Sequence, residues 1–437
     1  MDHQPIPVIA WPSRLRFFVC HFLPYYLSGI FIRWRFFSWL LAHLRIHPFR
    51  PDFFHKLRAR HASDALLIRF FGRRILLLFA PTDIQRVLEH SPVIYAEPGL
   101  KRKGMAFFQP DAVTISHGRE WQKRRACNEQ VLDTPQPLHR HADAMLTHVE
   151  RLIPDEAPRF VADFERLFAD IALTLVCGRV DDGDRRRLGE LLAMMRTANR
   201  LFLLKPASRQ AAIESWLRQR AFDAPADSLL GMLGDCPSDP DLKPLRQAPH
   251  WLFALGDTLP MNLMRALLLI ANDAELQGRL VEEISDIDGD KAADIARLHL
   301  LDGCLQEAMR LWPTTPVIAR RMIRADGLAG GRLPPGTQVM ILNNVMHRDE
   351  RFQHDANRFR PQRWREAMPR YVYNHLSAGA QGCAGAHLAL FVGKAVLAGL
   401  LRRWEYTGAH PRIDTSRPIA LINNPFEIRF NARSRGA

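Results

Sequence analysis

Three small groups in this 437-residue chain have the residue types and spacing that chemistry needs. The first is Cys383, in Leu376-Ser377-Ala378-Gly379-Ala380-Gln381-Gly382-Cys383-Ala384-Gly385, directly before an apolar helical run. Gly379, Gly382 and Gly385 permit a tight turn around the sulfur. The N–H groups of a helix start favour a thiolate there, as nucleophile or metal ligand. A buried structural cysteine is the plain alternative. The glycine spacing does not match a phosphate-binding loop, and no strand pattern precedes it.

The second group is Asp257-Thr258, which interrupts a long apolar stretch, Trp251–Ala271, just ahead of Pro260. A carboxylate and a hydroxyl on an otherwise buried helix need partners or a role. Pro260 cannot donate to the carbonyl of Gly256 and crowds it, so the helix is expected to open there. The third group is Glu307 and Arg310, three apart in EAMRLWP and therefore on one helix face. In isolation such a pair reads as a surface ion pair worth under ~1 kcal/mol.

The elements that must hold these groups follow from periodicity. Ala65–Phe79 reads as a hairpin through Gly72, and Pro81-Thr82-Asp83 opens a helix. From Glu120 to about Ser285 nearly every segment has helical period. After Pro313 short strands and turns take over, with Pro334-Pro335-Gly336 as a turn. A further helix is expected over Ala384–Trp404, and a hairpin around Asn423-Asn424-Pro425. The expected fold is mainly α with small β-sheets. With no low-complexity linker or repeat, residues 51–437 are expected to form one domain, preceded by an amphipathic segment over 1–50. That segment carries an uncharged run from Phe17 to Ile32, shorter than the ~20 residues of a spanning helix. Arg and aromatic residues interleave beyond it. It packs on the protein's own body or lies on a bilayer.

Composition narrows the class. Hydrophobic residues make up 47% and charged residues 24%, which excludes a disordered chain. Sixty Lys+Arg against forty-six Asp+Glu give a net charge of +14, inviting a nucleic-acid or anionic-membrane partner. The six cysteines are scattered, with no CxxC pair, so a reducing compartment is the simpler expectation.

Read in order, Asp-Thr in a long helix, Glu-x-x-Arg, Phe359-Arg360-Pro361-Gln362-Arg363-Trp364 and the glycine-rich Cys loop resemble the cytochrome P-450 family of haem-thiolate monooxygenases. Gly118-Arg119-Glu120-Trp121-Gln122-Lys123-Arg124-Arg125 matches that family's G-x-x-W-x-x-x-R helix. The resemblance runs from about Ala65 to the C-terminus. It implies a b-type haem whose iron is ligated by Cys383, the thiolate favouring O–O cleavage. It makes Glu307, Arg310 and Arg363 a buried structural network. Trp121, Arg125 and Arg320 would reach the haem propionates. Gly379, Gly385, Leu376 and Gln381 would line the cofactor, and Asp257 and Thr258 would hold water and deliver protons to dioxygen.

Departures accompany the matches. Leu376 stands where the family has an aromatic, Gln381 where it has Arg or His, and Leu255 where it has Gly. Met105, Phe107, Phe108, Phe253, Leu255, Thr315, Val317, Ile318, Asn424 and Phe426 would line an apolar substrate pocket. The lid would be about Asn199–Phe222, whose arginines could meet a substrate carboxylate. The resemblance therefore implies insertion of one oxygen atom of O2 into a hydrophobic small molecule, a lipid or terpenoid for example. A peroxide-driven peroxygenase, or an oxidative coupling or desaturating enzyme, is the alternative. A zinc protein using Cys383 and His387 lacks two further ligands at sensible spacing. Electrons would come from a separate ferredoxin or flavodoxin and its reductase, docking at Arg119, Lys123, Arg124 and Lys394. The expected state is a cytoplasmic monomer without nucleic acid, with peripheral membrane contact as the open alternative.

Overall fold

The computed structural model describes residues 5–436 except 71, 200–208, 240–241, 288, 290 and 422–423. It is mainly helical, with three small sheets. The largest has the order β1-β2-β7-β4-β3. Strands β1 (Ala65–Phe70) and β2 (Arg73–Leu78) form the expected hairpin, pairing Ala65 with Leu78 and Phe70 with Arg73. Strand β3 is the short Tyr95–Ala96, and β4 covers Val317–Met322. Strands β5 (Asp326–Leu328) and β6 (Gly331–Leu333) form a separate hairpin. Strand β7 (Gln338–Leu342) runs parallel to β2. Parallel neighbours cannot be joined by a tight turn, and most of the helical part is inserted between β2 and β7.

Two apolar cores result. One is built from helices, and the other from the sheet with Ile84, Val87 and Leu88 of the helix Pro81–Glu89. The N-terminal residues Ile9, Phe17, Phe49, Phe54 and Leu57 join the sheet core. The N-terminal segment thus packs on the body by one face. Among the described residues, Pro244–Ala271 is long and apolar enough to cross a membrane, but most of it is buried inside the protein.

Two sequence expectations change. The C-terminal hairpin pairs β8 (Trp404–His410) with β9 (Arg429–Ser434). Its strands end at His410 and Arg429, so a long connection joins them; Asn424 accepts the N–H of Phe426 and starts a short 3-10 turn over Pro425–Glu427. Asp181 accepts the N–H of Asp184 and Asp184 accepts that of Asp181, so the pair caps the helix Asp182–Ala198. Finally, Cys127 and Cys236 form a disulfide across 109 residues of sequence. Sequence spacing showed no such pairing, because it depends on how the helix Gly118–Val131 packs against the 3-10 turn Gly231–Asp235. The disulfide removes the cysteine argument for a reducing compartment.

Candidate active site

The Cys383 loop is built from the backbone outward. Its peptide N–H donates to the carbonyl of Leu376 at 2.9 Å, and Gly382 N–H donates to that of Gly379 at 2.9 Å. Gly379 has φ +66°, and a Cβ there would stand 2.5 Å from the Leu88 backbone carbon and oxygen. Only glycine permits that approach between the loop and the helix Pro81–Glu89. Gly379→Ala is expected to cost upward of about 2 kcal/mol, read as a lower denaturation midpoint. An unchanged midpoint would contradict this geometry. Arg125 crosses from the helix Gly118–Val131, donating to the carbonyl of Gly382 at 2.5 Å and pairing with Glu129 at 2.6 Å. Trp121, one turn earlier, is half-buried.

Cys383 is both reachable by solvent and deep enough for burial to push its thiol pKa up. Protein therefore surrounds the sulfur on most sides without sealing it from solvent. The helix-start argument alone pointed to a lowered pKa. The Gly385 N–H and Arg125 do act in that direction, but desolvation outweighs them. A coordinated metal ion would reverse the balance, since its charge deprotonates a bound thiol. Beside the cysteine, Gln381 has a buried Oε1 with no hydrogen-bond partner. A sulfur at a helix start, two adjacent glycines and an orphaned amide suit an iron porphyrin seated over the loop. His387 is exposed, with Nδ1 2.5 Å from the Gln136 carbonyl. Among the described residues no group of three or more His, Cys, Asp or Glu is arranged to hold a metal ion.

The Asp257 helix opens as the proline requires. Ala248–Phe253 is α-helical, Ala254–Thr258 is a widened π turn, and Leu259–Ala271 resumes the α-helix with Pro260 in its first turn. Phe253, Ala254, Asp257 and Thr258 stay partly exposed here, whereas Leu255 is buried in the helical core. Gly256 packs against the helix Val161–Cys177, where its Cβ would meet Ala172 at 3.5 Å. Burial pushes Asp257 up to about 7, with Arg196 opposing and Glu165 adding to the rise. The carboxyl therefore exchanges its proton near neutrality.

A raised carboxyl pKa means that the folded chain holds a proton the unfolded chain has lost. This contribution is full below about pH 4 and is lost as pH rises to about 7. Asp257→Asn is therefore expected to flatten the decline in stability over that window. Denaturation midpoints measured across it check the point, and parallel wild-type and variant curves would contradict it.

Next to the cysteine loop in this fold lies a densely hydrogen-bonded polar cluster. Glu307, Arg310 and Arg363 are each fully buried. Glu307 Oε1 accepts from Arg310 Nη2 at 2.8 Å, Arg363 Nε at 2.9 Å and the Arg360 N–H at 3.1 Å. Its Oε2 accepts from Arg310 Nε at 2.8 Å and Trp364 Nε1 at 3.0 Å. Arg310 Nη1 also donates to the carbonyls of His347 and Ala356. The pair that looked like a surface ion pair is an interior one.

Three partners of this cluster were missed in the sequence. Gly303 lets the helix His299–Leu311 seat against the 3-10 turn Pro361–Arg365, since a Cβ would stand 2.4 Å from the Pro361 carbonyl oxygen. His347 has Nδ1 3.0 Å from the Arg310 carbonyl and accepts the Asn374 N–H on Nε2 at 2.9 Å. A carbonyl only accepts, so Nδ1 carries the proton and the ring is neutral, consistent with burial lowering its pKa. The Asn374 carbonyl in turn accepts from Ser377 at 2.9 Å, which carries the cluster to the start of the Cys383 loop.

Other expected residues are placed differently. Arg320 is buried and paired with Glu97 at 2.8 Å, and it donates to Ser91 Oγ at 3.1 Å. A propionate there would have to share the guanidinium with Glu97. Val317 and Ile318 belong to the sheet core. Met105 and Phe108 belong to the helical core, and Phe107, Phe253 and Phe426 pack on its edge. Asn424 is buried and Thr315 exposed. Part of the lid, residues 200–208, lies outside the described residues, and Arg200 with it. Arg209, Arg218 and Arg220 are all paired with carboxylates, of Glu190, Glu214 and the Asp181–Asp184 cap.

Two of the four docking cations are structural. Arg124 is buried on Asp111 and Ser116, and Lys394 on Asp302 and the Ala296 carbonyl. Arg119 is exposed, and Lys123 pairs with Asp239 at 2.6 Å.

A solvent-reachable cysteine at a helix start, an acid-alcohol pair on a widened helical turn and a buried Glu-Arg-Arg cluster are the features that a haem-thiolate class of site calls for. Residues 243–430 match the family model described as cytochrome P450. Cytochrome P450 4d1 of Drosophila simulans is 30% identical over 185 residues, 39% of this chain and 35% of that protein. Aromatase of Mus musculus is 31% identical over 157 residues, 35% of this chain and 31% of that protein. Cytochrome P450 4V2 of Homo sapiens is 29% identical over 184 residues, 40% of this chain and 35% of that protein. The match spans about a third of the length of these relatives. The matched region, residues 243–430, is thus a cytochrome P450 family region.

Proposed function

We propose that the chain is a haem-thiolate monooxygenase, inserting one atom of O2 into a C–H or C=C bond of an apolar small molecule and releasing the other as water. The observation that carries this reading is Cys383, reachable by solvent yet deep, at the start of the helix Ala386–Arg403 in the matched region. Haem b, when bound, supplies the iron at which dioxygen is reduced and split. Cys383 holds that iron, with the Gly385 N–H and Arg125 supporting negative charge on the sulfur. Arg125, Trp121 and Gln381 stand around the same loop as anchors for the porphyrin edge, Arg125 through its own contact to Gly382.

Asp257, poised near neutrality, holds and passes protons from its carboxyl, and the Thr258 hydroxyl holds water beside it. Phe107, Phe253 and Phe426 form apolar walls that keep bulk water from the reacting carbon. No lid arginine in the described residues is left over for a substrate carboxylate, which favours a lipid or terpenoid without one. Two electrons come from a separate donor, for which Arg119 remains the exposed basic contact of the four considered.

The test is turnover with isotopically labelled dioxygen, NADPH and a ferredoxin–reductase pair, on lipids chosen by ligand-induced spin-state shifts. Label in the product is the expected result. A haem-loaded protein that binds such ligands and forms no oxygenated product with any donor would overturn the proposal.

A further inference from the structure

Exposed large apolar side chains are concentrated at one place in this molecule. Among the described residues, Val8, Trp11, Leu15, Val19, Leu23, Leu27, Phe36, Trp39 and Leu44 account for most of them, and Val93, Phe160, Phe222 and Ile323 lie elsewhere. Five of the nine form a series with a step of four: 11, 15, 19, 23 and 27. They occupy one continuous helical rod, α over Trp11–Phe17, π over Phe18–Phe22 and α over Leu23–Leu27. In a plain α-helix four residues overshoot one turn by about 40°, so such a series would wind around the rod. The wider π turn undershoots instead and straightens it, leaving an exposed apolar stripe. The opposite face is seated on the protein through Phe17, His21, Pro24 and Ser28.

Charge accompanies the stripe. From His3 to Pro51 there is no Asp or Glu, while Arg14, Arg16, Arg33, Arg35, Arg45 and Arg50 all fall there. Arg16, Arg45 and Arg50 are exposed, and Arg14 partly so. The second exposed set, Phe36 and Trp39, sits on the helix Arg35–His43, with Leu44 just past its end and Arg45 beside it.

The rod is not a loose tail. Asn199, at the end of the helix Asp182–Ala198, accepts the N–H groups of Ile30 and Phe31 at 2.9 and 3.0 Å and donates to the Ile32 carbonyl at 2.8 Å. Gly29, at φ +96°, makes the turn that this clamp holds. Phe31 meets Phe108 edge-on at 5.6 Å.

We propose that residues 8–45 are a docking surface for an anionic lipid bilayer, lying in the plane of its headgroups. The rod's seventeen residues span roughly 25 Å at 1.5 Å each, short of a ~30 Å hydrocarbon core. One of its faces is already committed to the protein, so it lies on the membrane and does not cross it. Apolar side chains enter the interface, and the acid-free, arginine-bearing segment meets lipid phosphates. Because Asn199 bolts the segment to the fold, docking fixes the orientation of the whole molecule.

Co-sedimentation of the purified full chain with phosphatidylcholine vesicles, with and without phosphatidylglycerol, tests this without reference to haem or turnover. Wild type is expected to sediment with the anionic vesicles, at least tenfold better than with neutral ones, and to be released by high salt. Leu15→Gln with Val19→Gln and Leu23→Gln is expected to lose at least tenfold in partitioning. Arg16→Glu with Arg45→Glu, which alters only exposed charges, is expected to lose a similar factor and guards against misfolding of the first variant. Wild type remaining in the supernatant, or both variants binding like wild type, would overturn the proposal. So would a wild-type dimer that the glutamine variant dissolves, since a second copy of the chain would then be covering the stripe.

Discussion

Glu307→Ala is expected to destabilise the fold by about 3–5 kcal/mol, because it leaves two interior guanidinium groups without their carboxylate. Arg310 and Arg363 keep some carbonyl acceptors, but no other acid joins Glu307 in their cluster. Glu307→Gln keeps the volume and one acceptor oxygen, yet turns an NH2 toward those donors, and is expected to fall between alanine and wild type. pH gives a second reading. Burial pushes the Glu307 carboxyl up, but Arg310, Arg363 and the Arg360 N–H together hold it below its ordinary 4.5. A lowered carboxyl pKa stabilises above the unfolded value, and that stability drains away as pH falls below about 4.5. The gap between wild type and Glu307→Ala should therefore be full at neutral pH and shrink in acid. Urea titrations at both pH values measure it. A neutral-pH difference below about 1 kcal/mol would return Glu307 to the status of a surface ion pair.

Cys383→Ser is expected to have the largest effect on activity. The hydroxyl fits the same turn, and the Leu376 and Gly382 contacts are made by backbone, so the apo fold should keep its denaturation midpoint. Iron would lose its thiolate, and with it the electron donation that favours O–O cleavage. Haem retention through gel filtration and product formation are the two readings. The serine variant should form at least a thousandfold less product, consistent with the loss of a step rather than of binding. Turnover within tenfold of wild type would remove Cys383 from the site.

Much of this site was legible because its residues speak through short-range spacing. Cys383 stands among glycines, Asp257 and Thr258 break an apolar helix before a proline, and Glu307 with Arg310 share a helix face. The hairpin Ala65–Phe79 and the helix after Pro81 were legible for the same reason. What escaped is long-range. The Cys127–Cys236 bond joins residues 109 apart, and Glu97 meets Arg320 only because β3 lies against β4. Arg124 and Lys394 looked like surface cations because long basic side chains usually are, and a sequence does not show that Asp111 and Asp302 wait for them inside. His347 was missed because no short-range spacing marks its role. Its tautomer required the Arg310 carbonyl and the Asn374 N–H to be placed on its two nitrogens. Competition between terms also needed the fold: helix-start electrostatics and burial act oppositely on Cys383, and only its surroundings show that burial wins.

The central claim is that Cys383 is the thiolate ligand of a bound haem, and the absorption spectrum of the reduced, carbon monoxide-treated wild-type protein tests it most directly. The strongly red-shifted band that a thiolate ligand imposes is the expected result. A haem-loaded protein with only the unshifted band of an imidazole-ligated iron would contradict it, as would a protein, folded and reconstituted with haem, that retains none.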